Sequence, residues 1–473
     1  MNPALDSRRV GVSVDARVRG LDPGGAYGDP ERISALVRDA LLQGGLGRAD
    51  PDAPLADIVP AGGTVLLKPN WVHHENASGR GLECLVTDPS FVVAVLREVD
   101  RAKPGRIVIG DAPIQGCRFD RLVTAEWRER FAGAAGCPVE IVDFRRTRLV
   151  GDSLFEGVVS DLRPPDRYVL FDLARDSLLE PISRRPGRFR VVMYNPDEMA
   201  AKHGPGRHQY LLAREPFEAD VVISLPKLKC HKKAGITGAL KNLVGVNGNK
   251  DYLPHHRVGG SRWGGDCYEG FAPLKRISEF LLDGANRRIN SPAYRRWAGL
   301  AARMAQAHDR LWRGGDGNLE GSWHGNDTVW RMSLDLNRLL RYGRADGTIG
   351  DAPLRTVYSI TDAIVAGEGA GPLAPAPVPL GVVTFASSSA FAEVVHAALM
   401  RFDHRRVPLI REAFAPFRYP IAEGRPEMVE AVCGGRRLEL DELAEKIGVH
   451  FDPPAGWKGR LERNAADPAE ARK

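Results

Sequence analysis

The sequence predicts an α/β protein, with largely parallel sheets, flanking helices and two lobes enclosing a cleft. Three observations predict this. Short apolar runs alternate with amphipathic helical stretches along the chain, the pattern of layered α/β domains. The first two clear strands are separated by a helix, which suits a parallel crossover. Polar residues gather where four strands end, and in open parallel sheets ligands sit beyond the carboxyl ends of the strands. A length of 473 residues suits about three domains or two larger units. The expected division is an N-terminal α/β lobe over 1–270, an arginine-rich helical insertion over 271–320, a C-terminal α/β lobe over 321–455 and a flexible tail over 456–473.

Each element has its own signal. Asp29 offers an N-cap and Pro30 fits the first helical position, so a helix is expected from Pro30 to Gln43. Ile33, Leu36, Val37 and Leu41 form its apolar stripe. Residues 64–67 read as a buried strand ending at Lys68-Pro69-Asn70. Asp88-Pro89 opens a second helix, which Lys103-Pro104-Gly105 breaks. Residues 106–110 form the next strand and end at Asp111. Strands are also expected over 139–142, 168–171, 220–224, 357–360 and 380–385, with a helix over 390–400. Residues 274–313 read as helical, with arginines on a solvated face. Asp327 marks a helix start, and Pro/Gly-rich breaks near 46–63, 258–273 and 367–379 read as linkers or lids.

Composition excludes several classes. Charged residues make up 27% and hydrophobic ones 43%, which is ordinary for a folded globular chain. No apolar run reaches the roughly 18 residues of a transmembrane helix, and the first residues lack the apolar core of a secretory signal. The six cysteines (84, 117, 137, 230, 267 and 433) form no C-x-x-C pair. A zinc ribbon, an iron–sulfur module and a disulfide scaffold therefore fit poorly, and a reducing cytoplasm is the expected compartment. The net charge of +6 suits an anionic partner: nucleic acid, an anionic membrane surface or a small metabolite. Its distribution decides among them. Of 13 lysines among 66 Lys and Arg, six lie between 227 and 250: Lys227, Lys229, Lys232, Lys233, Lys241 and Lys250. In an arginine-rich chain, persistent lysine suggests a need for a compact point charge.

The segment from Lys227 to Gly248 is the richest in chemistry. Gly235 and Gly238 permit close backbone approach, and the helix expected after Thr237 would present N–H groups to an anion. Neither a Walker loop nor a dinucleotide fingerprint is present. Two adjacent histidine pairs, His73-His74 and His255-His256, lie in polar loops and suit acid–base or metal-ligating roles. Cys230, between Lys229 and His231, reads as packing more than as a nucleophile. Glu368, in Gly367–Pro372, reads as a lid carboxylate following Asp362.

These motifs, in this order, resemble domain-of-unknown-function family 362, in its branch associated with polysaccharide biosynthesis. The resemblance rests on Lys68-Pro69-Asn70, Gly110-Asp111-Ala112-Pro113, Leu225 through Gly248, Asp251 through His256, Asn326-Asp327-Thr328 with Trp330-Arg331, and Asp362 through Pro372. It covers most of residues 60–415. Some members carry ferredoxin-like cysteine clusters; this chain does not, so no iron–sulfur cluster is carried over. The segment His231-x-x-Ala234-Gly235-Ile236-Thr237-Gly238-x-x-Lys241 also resembles part of the nickel-pincer lactate racemases. That likeness implies an acid–base role for His231, a cofactor tether at Lys241 and a metal ligand at His255 or His256. Ile236 and Thr237 depart from the racemase Tyr-Ser pair.

The resulting expectation is a cytoplasmic enzyme on a small anionic, hydroxylated metabolite, such as a sugar acid or activated sugar, with isomerisation or epimerisation as the reaction. Lys68, Asn70, Lys227, Lys229, Thr237, Asn242 and Lys241 would serve the anion. His231 would be acid–base, opposite His73 or His74, and Asp111, Asp362 and Glu368 would orient hydroxyls. A divalent metal on His255 and His256, a nickel-pincer cofactor included, is the cofactor expectation. No specific nucleic acid is expected, because the lysines sit in a Gly-rich strand-end segment rather than on a face interleaved with aromatics. Homo-oligomerisation is open. The alternative is a non-catalytic anion- or nucleotide-binding protein or scaffold.

Overall fold

A computed structural model describes residues 5–151, 158–311 and 320–463. Its centre is an 11-stranded sheet of mixed but mostly parallel pairing. From one edge the strands run Arg436–Leu438, Glu430–Cys433, Arg9–Val14, Ala374–Ala386, Val357–Ala370, Val221–Leu225, Thr64–Pro69, Arg106–Asp111 and Val139–Asp143. The last five of these are mutually parallel. The strand Lys227–His231 continues beyond Val221–Leu225 and pairs with the far half of Val357–Ala370, then with Gly235–Thr237.

Alternation of side chains across the pleat separates two cores. Val65, Leu67, Ile107, Ile109 and Ile223 pack on one face against Phe91, Val95 and Val99 of the helix Pro89–Arg101 and Ile33, Val37 and Leu41 of Pro30–Gln43. Leu66, Val108 and Val222 face the other way, with Phe144. Val10, Val12 and Val382 join the larger core of the helices Val329–Tyr342 and Ser389–Leu399. Both helices expected near the N-terminus start as capped, with Asp29 accepting from the Arg32 N–H at 3.1 Å and Asp88 from the Ser90 N–H at 2.7 Å.

Four expectations change. The sheet interleaves the two expected lobes: Arg9–Val14 pairs with Ala374–Ala386, and Val221–Leu225 with Val357–Ala370. The 1–270 and 321–455 segments therefore share one sheet. The break at 367–379 is no lid; Val357–Ala370 and Ala374–Ala386 form one long hairpin, and its pairing reaches Ala370 with Ala374. The 168–171 strand, Tyr168–Asp172, belongs to a separate three-stranded sheet with Arg207–Ala213 and His203–Gly204. Finally, 456–463 is packed: Trp457 and Leu461 are buried, and the Trp457 indole N–H donates to the Lys232 carbonyl at 2.7 Å. The remainder of the expected tail and residues 312–319 of the insertion lie outside the described residues. The insertion itself is a pair of packed helices, Pro273–Asn286 and Ala293–Leu311.

Candidate active site

The strand ends converge, but their charges first satisfy one another. Lys68 is fully buried and pairs with Asp111 Oδ1 at 2.8 Å across two adjacent strands. Asp111 also accepts from the Trp71 N–H at 2.6 Å and the Ala112 N–H at 2.8 Å. Burial pushes the Asp111 carboxyl up and the Lys68 amine down, while their contact works against both shifts. Asn242 joins this pair to its neighbours. Its Oδ1 accepts from Lys68 Nζ and Asn70 Nδ2, and its amide donates to the Lys68 carbonyl and Ser224 Oγ. Gly245 lies against the pair: a Cβ there would sit 1.9 Å from Asp111 Oδ1 and 2.5 Å from Lys68 Nζ.

A second buried pair joins Lys227 to Asp362 at 2.5 Å. The Tyr27 hydroxyl donates to Asp362 Oδ1 and accepts from Lys227 Nζ, both at 2.7 Å, and the Asp88 N–H donates to Asp362 Oδ2. Burial, then the Asp362 charge, pushes the Asp88 carboxyl up to about 6. Asp362 lies within a strand rather than at its end. Lys68, Lys227, Asp111 and Asp362, expected to face a ligand, thus lie in ion pairs with one another. In a sheet interior these charges need partners, and they find them in one another. Asn70 and Asn242 likewise spend their amides inside this network.

Lys229 differs. Its Nζ donates to Asn70 Oδ1 at 2.6 Å and to the Leu85 carbonyl, without a carboxylate at contact. Burial, then Lys227, lowers it to about 7. It is fully buried, and these bonds hold Asn70 and the Leu85 carbonyl in place.

The uncompensated charge lies further along the segment. Lys241 sits on the short helix Ala239–Asn242, 8% exposed. Burial lowers it to about 7, and its charged neighbours, Lys250, Lys233 and Lys68, all push the same way. Residues 226–250 contain no Asp or Glu. Lys250, lowered to about 8 by burial against the pull of Asp111, donates to the Ala112 carbonyl. Lys233 has Glu320 at 3.9 Å, and Glu320 and Asp266 oppose the burial that lowers it, so Lys241 alone of the three has no acid acting on it. His231 and His255 border this cluster: after burial, Lys241 is the largest influence lowering each, and His255 also acts on His231. Both rings are thus neutral at physiological pH.

Their hydrogen bonds fix opposite tautomers. His231 Nδ1 accepts from the Lys233 N–H at 3.0 Å and the Ala234 N–H at 3.2 Å, so its ring proton is on Nε2. His255 Nδ1 lies 2.7 Å from the Leu253 carbonyl and must donate, leaving a lone pair on Nε2. One ring is a donor at Nε2 and the other an acceptor. Thr237 is buried, with its hydroxyl unpartnered.

Other expected site residues lie elsewhere. His73 and His74 interact with Glu75, Arg118 and Arg121, not with His231. The loop after Asn70 carries them towards 112–121, where the Ile114 N–H bonds the Val72 carbonyl. Glu368 sits near the hairpin tip and accepts from the Asp452 N–H at 2.8 Å. His256 pairs along Phe189–Arg190, with Nδ1 buried and unpartnered; burial, then the Lys233 charge, lowers its ring. Among the described residues, no three His, Cys, Asp or Glu side chains gather to hold a metal ion. His255 spends Nδ1 on Leu253, which leaves at most one ligating nitrogen there. Cys230 is fully buried beside the Asp452 carbonyl, and burial pushes its thiol up, as expected of a packing residue. Asn326, not Asp327, caps the Val329–Tyr342 helix, accepting from the Thr328 and Val329 N–H groups; Asp327 instead pairs with Arg331.

Sequence reasoning placed Lys233 and Lys250 in the lysine cluster without giving them to the site. It missed Glu393 altogether. Glu393 is fully buried in the helix Ser389–Leu399, accepts from the Ala239 N–H at 2.9 Å and from His396 at 2.8 Å, and so anchors the turn carrying Lys241. A buried Glu-x-x-His pair on an apolar helix was its only signal.

No curated protein matches the chain. Residues 170–394 match a family model, and that span holds the whole Lys227–Lys250 segment, His255 and the Glu393 anchor. The family whose model residues 170–394 match is the Domain of unknown function DUF362.

Proposed function

We propose that this protein is an isomerase or epimerase that holds a small anionic, hydroxylated metabolite against Lys241, Lys233 and Lys250. The observation that carries the reading is Lys241, a buried amine whose charged neighbours are all cations. Such a cluster is costly when empty, and an anion relieves it. A sugar acid suits it, because its carboxylate supplies the missing charge.

His231 and His255 supply the proton chemistry. His255 Nε2 takes the proton from a carbon bearing a hydroxyl and adjacent to the carboxylate. The electron pair from that C–H bond moves onto the carboxylate oxygens, where the lysines stabilise it. His231 Nε2–H donates a hydrogen bond to the oxygen on which that charge develops. A water on the opposite face of the carbon returns a proton, which inverts the centre, and the hydroxide left behind takes the proton from the His255 imidazolium, so both rings and the water return to their starting states. His255 here replaces His73 and His74 as the counterpart of His231.

Deuterium exchange tests the reaction. In heavy water, a panel of aldonic and uronic acids should yield at least one member that gains deuterium at the carbon next to its carboxylate, followed by NMR. His231→Gln and His255→Gln should each slow exchange by roughly 100-fold or more. Anion binding without any exchange would favour the second reading, a non-catalytic anion-binding protein.

A further inference from the structure

The helix Pro273–Asn286 is built inside out. Its inward face carries Ser278, Glu279, Asp283 and Asn286, all buried. These groups are engaged: Asp283 accepts twice from Arg190 at 2.8 Å, Glu279 accepts from the Gly259 N–H at 2.8 Å, and Ser278 Oγ donates to the Ala301 carbonyl. Its outward face carries Ile277 and Phe280, the latter 62% exposed. They lie three residues apart, hence on one helical face. Phe271, 51% exposed, precedes the helix and packs edge-on against exposed Trp263 at 4.7 Å between ring centroids.

Soluble surfaces scatter single apolar residues, but they rarely turn a helix so that its polar side is buried and its apolar side is wet. The surroundings say what would cover it. Arg185 and Arg188 donate to the Trp263 carbonyl, Arg262 adjoins it in sequence, and Arg276 is an electrostatic neighbour of Arg188. Residues 269–310 hold eight Lys and Arg against four acids, of which Glu279 and Asp283 are buried and Glu269 is exposed. Large apolar side chains ringed by cations are complementary to a surface that is anionic outside and hydrocarbon beneath. A second copy of the same face would set arginines against arginines. Nucleic acid would meet the charge but give aliphatic Ile277 nothing to enter.

We infer that this face, with Trp263, Phe271, Ile277 and Phe280 as its insertion residues, docks the protein peripherally on an anionic lipid bilayer. No helix among the described residues is long and apolar enough to cross a membrane, so the mode is adsorption in the interface plane.

Vesicle flotation tests it. The full chain should float with mixed phosphatidylcholine–phosphatidylglycerol vesicles and remain behind with phosphatidylcholine alone. Ile277→Asp combined with Phe280→Asp should cut the floating fraction about tenfold with an unchanged melting temperature. Arg185→Glu with Arg262→Glu, at exposed positions, provides a second variant with the same expected loss should the first fold poorly. Absence from anionic vesicles, or equal flotation of the arginine variant, would overturn the proposal. So would a lipid-free dimer in sedimentation equilibrium that Ile277→Asp dissociates, since the face would then belong to a second copy.

Discussion

At Asp111 the difference between a ligand group and a structural group comes down to partners. It takes Lys68 and two backbone N–H groups while 3% exposed, so little of it is left for a substrate. Asp111→Asn leaves a buried ammonium without its counter-ion and should cost about 3–5 kcal/mol. Chemical denaturation reads this directly; an unchanged midpoint would return Asp111 to the ligand. Lys241 is the opposite case. Its amine is lowered to about 7 from an ordinary 10.5. Above the folded value the unfolded chain binds the extra proton, so stability rises with pH, by up to about 1.4 kcal/mol per pH unit for one such group. Below it both states are charged and the penalty is present in full. Denaturant titrations between neutral pH and mildly alkaline pH should show this rise, and Lys241→Met should reduce it, leaving the part that Lys229 and Lys250 contribute.

Gly245 and the Ala239–Asn242 helix show how elements aim the site. Gly245 has no room for a Cβ beside Asp111 and Lys68. Gly245→Ala should separate that pair and destabilise the fold by several kcal/mol, roughly the cost of breaking a buried ion pair; a crystal structure with the pair intact would refute this. The elements themselves were legible in sequence wherever one signal dominated. Asp29-Pro30 and Asp88-Pro89 announced their helices, and the Val/Ile/Leu runs announced the strands. The long hairpin was not legible, because its prolines and glycines, which look like a lid, occupy one ladder from Val357 to Ala386. Site residues divide the same way. The lysine cluster stood out by composition, but sequence cannot say which lysines have acids across the sheet. Lys68 meets Asp111 and Lys227 meets Asp362 only through pairing between distant segments, whereas Lys241 meets none. His73 and His74 carried the same local signal as His255; only the path of the loops separates them.

Across the whole molecule, one sheet joins both ends of the chain, and the packed segment around Trp457 covers Gly235 at 3.3 Å from where its Cβ would lie. The positively charged centre is therefore held by contributions from along the chain: Lys68, the Lys227–Lys250 segment, Glu393 and the C-terminal turn. Such a frame maintains an uncompensated charge in place, which is what an anion site requires. Calorimetric titration of inorganic phosphate and simple sugar acids, near neutral pH and in buffers of differing ionisation enthalpy, tests that claim most directly. An anion beside Lys241 raises its pKa, so binding must take up protons. The account predicts measurable proton uptake and at least about tenfold weaker binding for Lys241→Met, with exposed Lys446→Met unchanged. Absence of binding across the panel, or binding that takes up no proton and ignores Lys241→Met, would contradict it.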